Sequence, residues 1–228
     1  MYLLMLILLT VLAITTTSDI APCVKIHIIS ARQSNSWPGE GRMGELSAAI
    51  IQKVPNADSE ALDYPAYGDL WRYRGSVLAG DTAMVHAISA YIFRCPDSKI
   101  VLLGYSQGAH IIGDTLCGSI VELGFAQSAP INDTLGSKII AAVSMGDPSF
   151  FAGLSYNNGT NKVNSGWFAR RNNTVCAKYD AARVSYCDVG DKFCASGYRF
   201  WVHRKYMWRY KDVALQFVLA RINGSKAG

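Results

Sequence analysis

The stretch from Lys99 to Leu116 constrains this chain more than any other. An apolar run, Ile100-Val101-Leu102-Leu103, leads through Gly104-Tyr105-Ser106-Gln107-Gly108 into the helix-like segment Ala109 to Leu116. A buried strand, a tight turn and a helix in that order place a serine at the apex of the turn. Glycine at 104 and 108 removes two Cβ atoms, so the backbone folds sharply and strand and helix approach closely around Ser106. The bare G-x-S-x-G pattern is common by chance; the strand before it and the helix after it are what give it weight.

Similar strand and helix signals recur along the chain. Val24 to Ser30 carries β-branched residues in a short run and reads as a strand, followed by a loop from Ala31 to Met43. Glu45 to Val54 has helical spacing at Leu46, Ile50 and Val54 and stops at Pro55. A short second strand is expected around Ala61 to Tyr64, and a helix from Ser76 to Phe93 through Val77, Met84, Val85, Ile88 and Ile92. Lys138 to Met145 is another buried strand, running into the turn Gly146-Asp147-Pro148. Leu154 to Ala182 reads as long and irregular, Arg183 to Cys187 as the last strand, and Tyr206 to Asn223 as a final helix. Alternating strands and helices imply an α/β fold: a central, mostly parallel sheet of about five strands with helices on both faces. In such folds ligands sit beyond the carboxyl ends of the strands, where Ser106 lies.

Residues 1–18 are uncharged and mostly apolar, with an apolar core from Leu3 to Ile14 that is shorter than the ~20 residues needed to span a bilayer. This reads as a secretory signal peptide, leaving residues 19–228 as a single catalytic domain and the mature protein soluble, extracellular and without a membrane span. Six cysteines, Cys23, Cys95, Cys117, Cys176, Cys187 and Cys194, then indicate disulfides rather than metal ligation, and proximity alone selects only Cys187 with Cys194. Sequons at Asn132, Asn158, Asn172 and Asn223 fit the same route. The 22 basic and 17 acidic residues give a net charge of +5, which favours acidic surfaces, but no basic tract points to nucleic acid.

A serine hydroxyl becomes a competent nucleophile when an imidazole takes its proton and a carboxylate orients that imidazole. The chain has four histidines. His27 alternates within a strand, His86 lies mid-helix, and His110 sits on the helix leading away from Ser106. His203, in the loop between the last strand and the last helix, stands where a fold with the order nucleophile, acid, base carries its histidine. Between Ser106 and His203 the acids are Asp114, Glu122, Asp133, Asp147, Asp180, Asp188 and Asp191. Strand ends select Asp147, Asp188 and Asp191, and the last two lie inside the ring that Cys187 and Cys194 would close. Composition does not separate them.

Taken together, Gly104-Tyr105-Ser106-Gln107-Gly108, Met145-Gly146-Asp147-Pro148 with Gly153-Leu154-Ser155-Tyr156, and Tyr186 to Cys194 followed by His203 resemble the cutinase and acetylxylan esterase family of secreted serine esterases. The resemblance extends from Cys23 to Ile222 and implies a small α/β-hydrolase without a lid, acting as a monomer with no cofactor and no metal. It implies Asp191 as the acid, with Asp188 a structural neighbour. It also implies the pairs Cys23–Cys95, Cys117–Cys176 and Cys187–Cys194. The oxyanion hole would combine the Gln107 N–H with Ser34, in the loop Ala31-Arg32-Gln33-Ser34, and Tyr105 and Phe193 would line the substrate pocket. Tyr64-Pro65-Ala66, the Gly-Asp-Pro turn and Phe193 are closer to the acetylxylan esterase branch, in which an aromatic at that place implies acetyl or other short acyl groups. The chain departs from that branch in carrying Tyr67 where relatives have a cysteine, and in the aromatic and basic residues Arg199-Phe200-Trp201 and Arg204 to Trp208 around His203. These aromatics either pack the last helix or form an apolar rim. The expected substrate is a short-chain acyl ester of a plant cell-wall polysaccharide, with cutin or another lipid ester as the alternative. A different class, a wall-binding protein that stacks sugars on Trp167, Phe168 and Trp201, is separated from these by whether Ser106 is needed for ester cleavage.

Overall fold

The computed structural model describes residues 22–224, so the expected signal segment, residues 1–18, lies outside the described residues. Six strands form one sheet: β1 Ile26–Ala31, β2 Ala57–Ala61, β3 Lys99–Tyr105, β4 Ile139–Met145, β5 Asn157–Asn158 and β6 Arg183–Tyr186. Their spatial order is β2-β1-β3-β4-β6-β5 and every pairing is parallel. The helices are α1 Gly44–Lys53, α2 Leu70–Arg94, α3 Gln107–Cys117, α4 Asp133–Gly136, α5 Phe200–His203 and α6 Tyr206–Gly224.

Adjacent strand residues point to opposite faces, so each central strand feeds two cores. Ile29, Ile100 and Leu102 meet Val77, Met84 and Ile88 of α2 and Ile111 and Ile112 of α3 on one face. On the other, Ile28, Val101 and Leu103 meet Leu46 and Ile50 of α1 and Ala214, Val218 and Ile222 of α6. Each fully buried aliphatic side chain stabilises the fold by roughly 1.5–3 kcal/mol relative to exposure. Disulfides join Cys23 to Cys95, Cys117 to Cys176 and Cys187 to Cys194. All four sequon asparagines are exposed.

Several boundaries differ from the sequence-based expectation, each for a physical reason. The second strand is Ala57–Ala61, not Ala61 to Tyr64, because it is a half-exposed edge strand held to β1 by backbone pairing, and its polar sequence carries no apolar pattern. The apolar Leu62 and Tyr64 instead enter the core from the loop that follows. Helix α2 starts at Leu70, six residues before the expected Ser76. Asp69 caps it by accepting from the Arg72 N–H at 3.1 Å, and Leu70 and Trp71 are exposed, so its first turn lacks the apolar spacing. A two-residue sixth strand, β5, arises inside the segment expected to be irregular, where Asn157 and Asn158 pair with Ser185 and Tyr186. His203 ends a helical turn rather than lying in a loop.

The strand order positions the site. From β1 the chain steps outward to β2, then returns past β1 to β3 and moves the other way to β4. The connections leaving β1 and β3 therefore diverge, and a crevice opens at the carboxyl ends of these strands, between the 31–41 loop and Ser106.

Candidate active site

Ser106 joins the end of β3 to the start of α3 with φ 55° and ψ −114°, a left-handed conformation that side chains avoid. The strain falls on the serine itself. Gly104 and Gly108 are needed for closeness: a Cβ on Gly108 would lie 2.0 Å from the Ala31 carbonyl oxygen, and one on Gly104 would lie 2.6 Å from that of Gly108. The Gln107 N–H, at the positive end of α3, has no partner among the described residues. Its side chain is fully buried and locks the turn, donating to the Tyr67 carbonyl at 2.9 Å and accepting from Ser76 Oγ at 3.2 Å.

His203 bridges Ser106 and Asp191. Its Nε2 lies 2.9 Å from Ser106 Oγ and its Nδ1 lies 2.8 Å from Asp191 Oδ2. The ring rests on Gly146, where any Cβ would come within 2.8 Å of it. Tyr105 supports it from behind, its hydroxyl donating to the His203 carbonyl at 2.5 Å. Asp191 is fully buried with all its oxygens engaged. Oδ1 accepts from the N–H groups of Phe193 and Cys194 at 2.7 and 3.0 Å, and Oδ2 accepts from His203 and from the Tyr206 hydroxyl at 2.8 Å. Burial alone would raise its pKa, but the hydrogen bond to His203, the charge on that ring and the two backbone donors together hold it below the ordinary carboxylate value.

Of the two ring carboxylates, Asp191 is the one in contact with His203. Asp188 is also buried but faces away from His203. It accepts from the Thr160 N–H and Oγ1 at 2.9 Å, from the Tyr210 hydroxyl at 2.5 Å, and from Arg209 at 2.7 Å. The Asp147 carboxylate accepts from the Ser149 N–H and Oγ, both at 2.7 Å, and burial raises its pKa. His27 is held by Asp58, His110 is buried against Tyr73, with burial pushing its pKa well down, and His86 is exposed on α2. None of these three lines the cleft at Ser106.

That cleft has a volume of about 370 Å³, and Ser34, Tyr105, Phe193 and His203 are in its wall with Ser106. Ser34 Oγ makes no hydrogen bond among the described residues, but its loop is firmly held. Buried Arg32 donates to the carbonyls of Leu62, at 3.1 Å, and Tyr64, while the Tyr64 hydroxyl donates to the Arg32 carbonyl at 2.5 Å. The Asn35 N–H donates to the Ala66 carbonyl at 2.7 Å. Phe193 packs edge-on against the His203 ring with centroids 4.6 Å apart, and Trp167 packs on Phe193 at 4.9 Å. Among the described residues no cluster of His, Cys, Asp or Glu could hold a metal ion.

Sequence reading missed Tyr206. It is absent from the apolar spacing of α6, yet its hydroxyl donates to the Asp191 carboxylate at 2.8 Å and accepts from the Asp188 backbone N–H at 2.9 Å, so it ties the acid to the backbone of the same ring. The available signal was its position in the sequence, three residues after His203.

A buried carboxylate, an imidazole and a strained hydroxyl in line can move a proton off the hydroxyl and return it elsewhere. The comparisons with known proteins agree with that chemistry. The family model named Cutinase matches residues 22–222. The chain is 34% identical over 207 residues to acetylxylan esterase 2 of Talaromyces purpureogenus, covering 88% of each. It is also 34% identical over 208 residues to cutinase 11 of Verticillium dahliae, covering 88% of this chain and 70% of that one. The solved catalytic core domain of acetyl xylan esterase from Trichoderma reesei superposes with a TM-score of 0.81 at 36% identity, over 88% of this chain and 100% of that one. The chain therefore belongs to the cutinase family and is a carboxylic ester hydrolase.

Proposed function

We propose that the protein is a secreted serine esterase that removes short acyl groups, acetyl above all, from a plant cell-wall polysaccharide such as xylan. The observation that carries this reading is the unbroken relay from Asp191 through His203 to Ser106, with contacts of 2.8 and 2.9 Å, beside an unpartnered Gln107 N–H. His203 Nε2 takes the Ser106 proton as Oγ bonds to the ester carbonyl carbon. The resulting oxyanion accepts from the Gln107 N–H and from Ser34, each donor worth about 10²–10³ in rate. The ester C–O bond then breaks, the proton passes from Nε2 to the departing alcohol, and an acyl-Ser106 remains. Water gives a proton to the same nitrogen as it attacks the acyl carbon; the acyl C–Oγ bond then breaks, Oγ takes the proton back from Nε2, and the acid leaves.

Phe193, wedged between His203 and Trp167, supports a narrow acyl side. The unpaired cysteine-free set of three disulfides supports secretion, with residues 1–18 as signal peptide and 19–228 as one catalytic domain acting as a monomer. One observation favours a second reading, a cutin or lipid ester: Phe200 and Trp201 beside the cleft are half-exposed at 50% and 54%. Initial rates on p-nitrophenyl esters from acetate through butyrate to palmitate, with Ser106→Ala as the blank, separate the two. A steep fall after acetate is expected; rates that hold or climb with chain length would favour the lipid ester.

A further inference from the structure

The cleft wall is one-sided in charge. Two arginines, Arg42 and Arg204, line it, and no Asp or Glu does. Neither arginine makes an ion pair among the described residues, although Glu45 and Asp212 line the groove next to them. Arg42 is anchored from both sides of the cleft. Its backbone N–H donates to Gln33 Oε1 at 3.2 Å, on the Ser34 side, and its Nη1 donates to the Arg204 carbonyl at 3.3 Å, on the His203 side. Its Nε and Nη2, and the whole Arg204 guanidinium, have no hydrogen-bond acceptor among the described residues. Arg42 also lies over the Tyr105 ring, 5.6 Å from its centroid, which holds it at the cleft wall. Two arginines that line a cleft with no acidic residue in its wall favour an anionic group there.

The same sign continues onto the rim. Lys192 lies 5.6 Å from the ring centroid of Trp167, and Lys205 lies 4.7 Å from that of Trp201, so exposed aromatics there carry a cation on one face. Neither lysine makes an ion pair among the described residues. Such a surface is poorly suited to hydrocarbon, where nothing would replace the hydration of the charged groups. It suits a hydrated polymer with sugar faces to stack and carboxylates to pair.

Resting on the proposed esterase reading, and narrowing its substrate, we propose that Arg42 and Arg204 form a carboxylate-binding subsite on the alcohol side of the cleft. The polymer they recognise is a polysaccharide that carries uronic-acid groups near its acyl esters, and Lys192 and Lys205 extend the contact along the rim.

The test uses the catalytically silent Ser106→Ala variant, so that binding is read without turnover. Its retention is measured in gels containing glucuronoxylan or the same polymer with its carboxylates reduced to alcohols. The expected result is about tenfold tighter retention by the carboxylated polymer, the worth of about two exposed charge-assisted contacts, shrinking as salt rises. Adding Arg42→Gln with Arg204→Gln should bring it to the neutral polymer's value, and lysine at both positions should restore most of the difference. Equal retention by the two polymers overturns the subsite, as does a preference that survives the double glutamine variant or tighter binding to phosphatidylserine vesicles than to the polymer. The wild-type enzyme is assayed on both polymers after equal re-acetylation. If it deacetylates neither while the binding preference holds, the proposed function fails and the subsite stands.

Discussion

Gly146 is the place where one added methyl group should disable the relay without replacing any member of it. It follows β4 with φ +64°, and an added Cβ would lie 2.8 Å from His203 Cε1, 2.9 Å from Nδ1 and 3.0 Å from the Tyr206 ring. Ordinary contact begins near 3.4 Å, so the imidazole must retreat by about 0.6 Å. The ring is tied at both nitrogens, and a retreat of that size stretches one of its bonds, 2.8 or 2.9 Å in the native site, to about 3.5 Å, where little hydrogen bonding remains. Misplacement on this scale costs about 10²-fold in turnover. Gly146→Ala should therefore lower kcat about 10²-fold on p-nitrophenyl acetate. Gly153→Ala is the matched control. Its φ is +88° and nothing lies within 4 Å of an added Cβ, so it carries the same backbone strain, about 1–2 kcal/mol, without the collision. Each variant should lose several degrees of Tm, at roughly 2–4 °C per kcal/mol for a domain of this size. Only Gly146→Ala should lose activity. A Gly146→Ala enzyme within threefold of the parent, or a Gly153→Ala enzyme equally impaired, would refute the contact-based reasoning.

Other expectations concern the groups around the relay. Tyr206→Phe removes a donor to Asp191 and leaves the buried Asp188 N–H unpaired; stability should fall by roughly 1.5–3 kcal/mol in thermal denaturation, and kcat about tenfold with KM little changed. Ser34→Ala should lower kcat about 10²–10³-fold while leaving Tm nearly unchanged, since its hydroxyl makes no hydrogen bond among the described residues. The Asp191 pKa is depressed in the folded state, so its stabilising contribution is complete above its unfolded value, near 3.8, and is lost as pH falls through the lower folded value. Tm measured against pH should accordingly fall less steeply below pH 3.8 in Asp191→Asn than in the parent.

The parts of the site that were legible in the sequence are those that local chemistry dictates. The elbow at Ser106 shows because a buried apolar run, two glycines and a helix cannot be arranged many other ways, and His203 shows because the other histidines fall within regular elements. What stayed hidden depends on contacts between distant segments. Asp188 and Asp191 share a ring and a composition, and they differ only in which element each faces: α6 and the 160 loop for one, His203 for the other. Tyr206 reads as a helix aromatic until its hydroxyl is seen between the Asp191 carboxylate and the Asp188 backbone N–H. The edge strand β2 is half-exposed and the first turn of α2 is exposed, so hydrophobic periodicity says nothing of them. Arg42 gives no local sign that it will meet Arg204, because 162 residues separate them.

The central claim is that Ser106 is the activated nucleophile, and covalent trapping tests it most directly. The intact protein is treated with diethyl p-nitrophenyl phosphate, its mass is measured, and the modified peptide is mapped, with Ser106→Ala in parallel. The relay predicts one diethylphosphoryl group per chain, on Ser106 alone, appearing in step with loss of esterase activity and absent from the variant. Full inactivation without an adduct on Ser106, or an adduct on another residue that accounts for the loss, would contradict it.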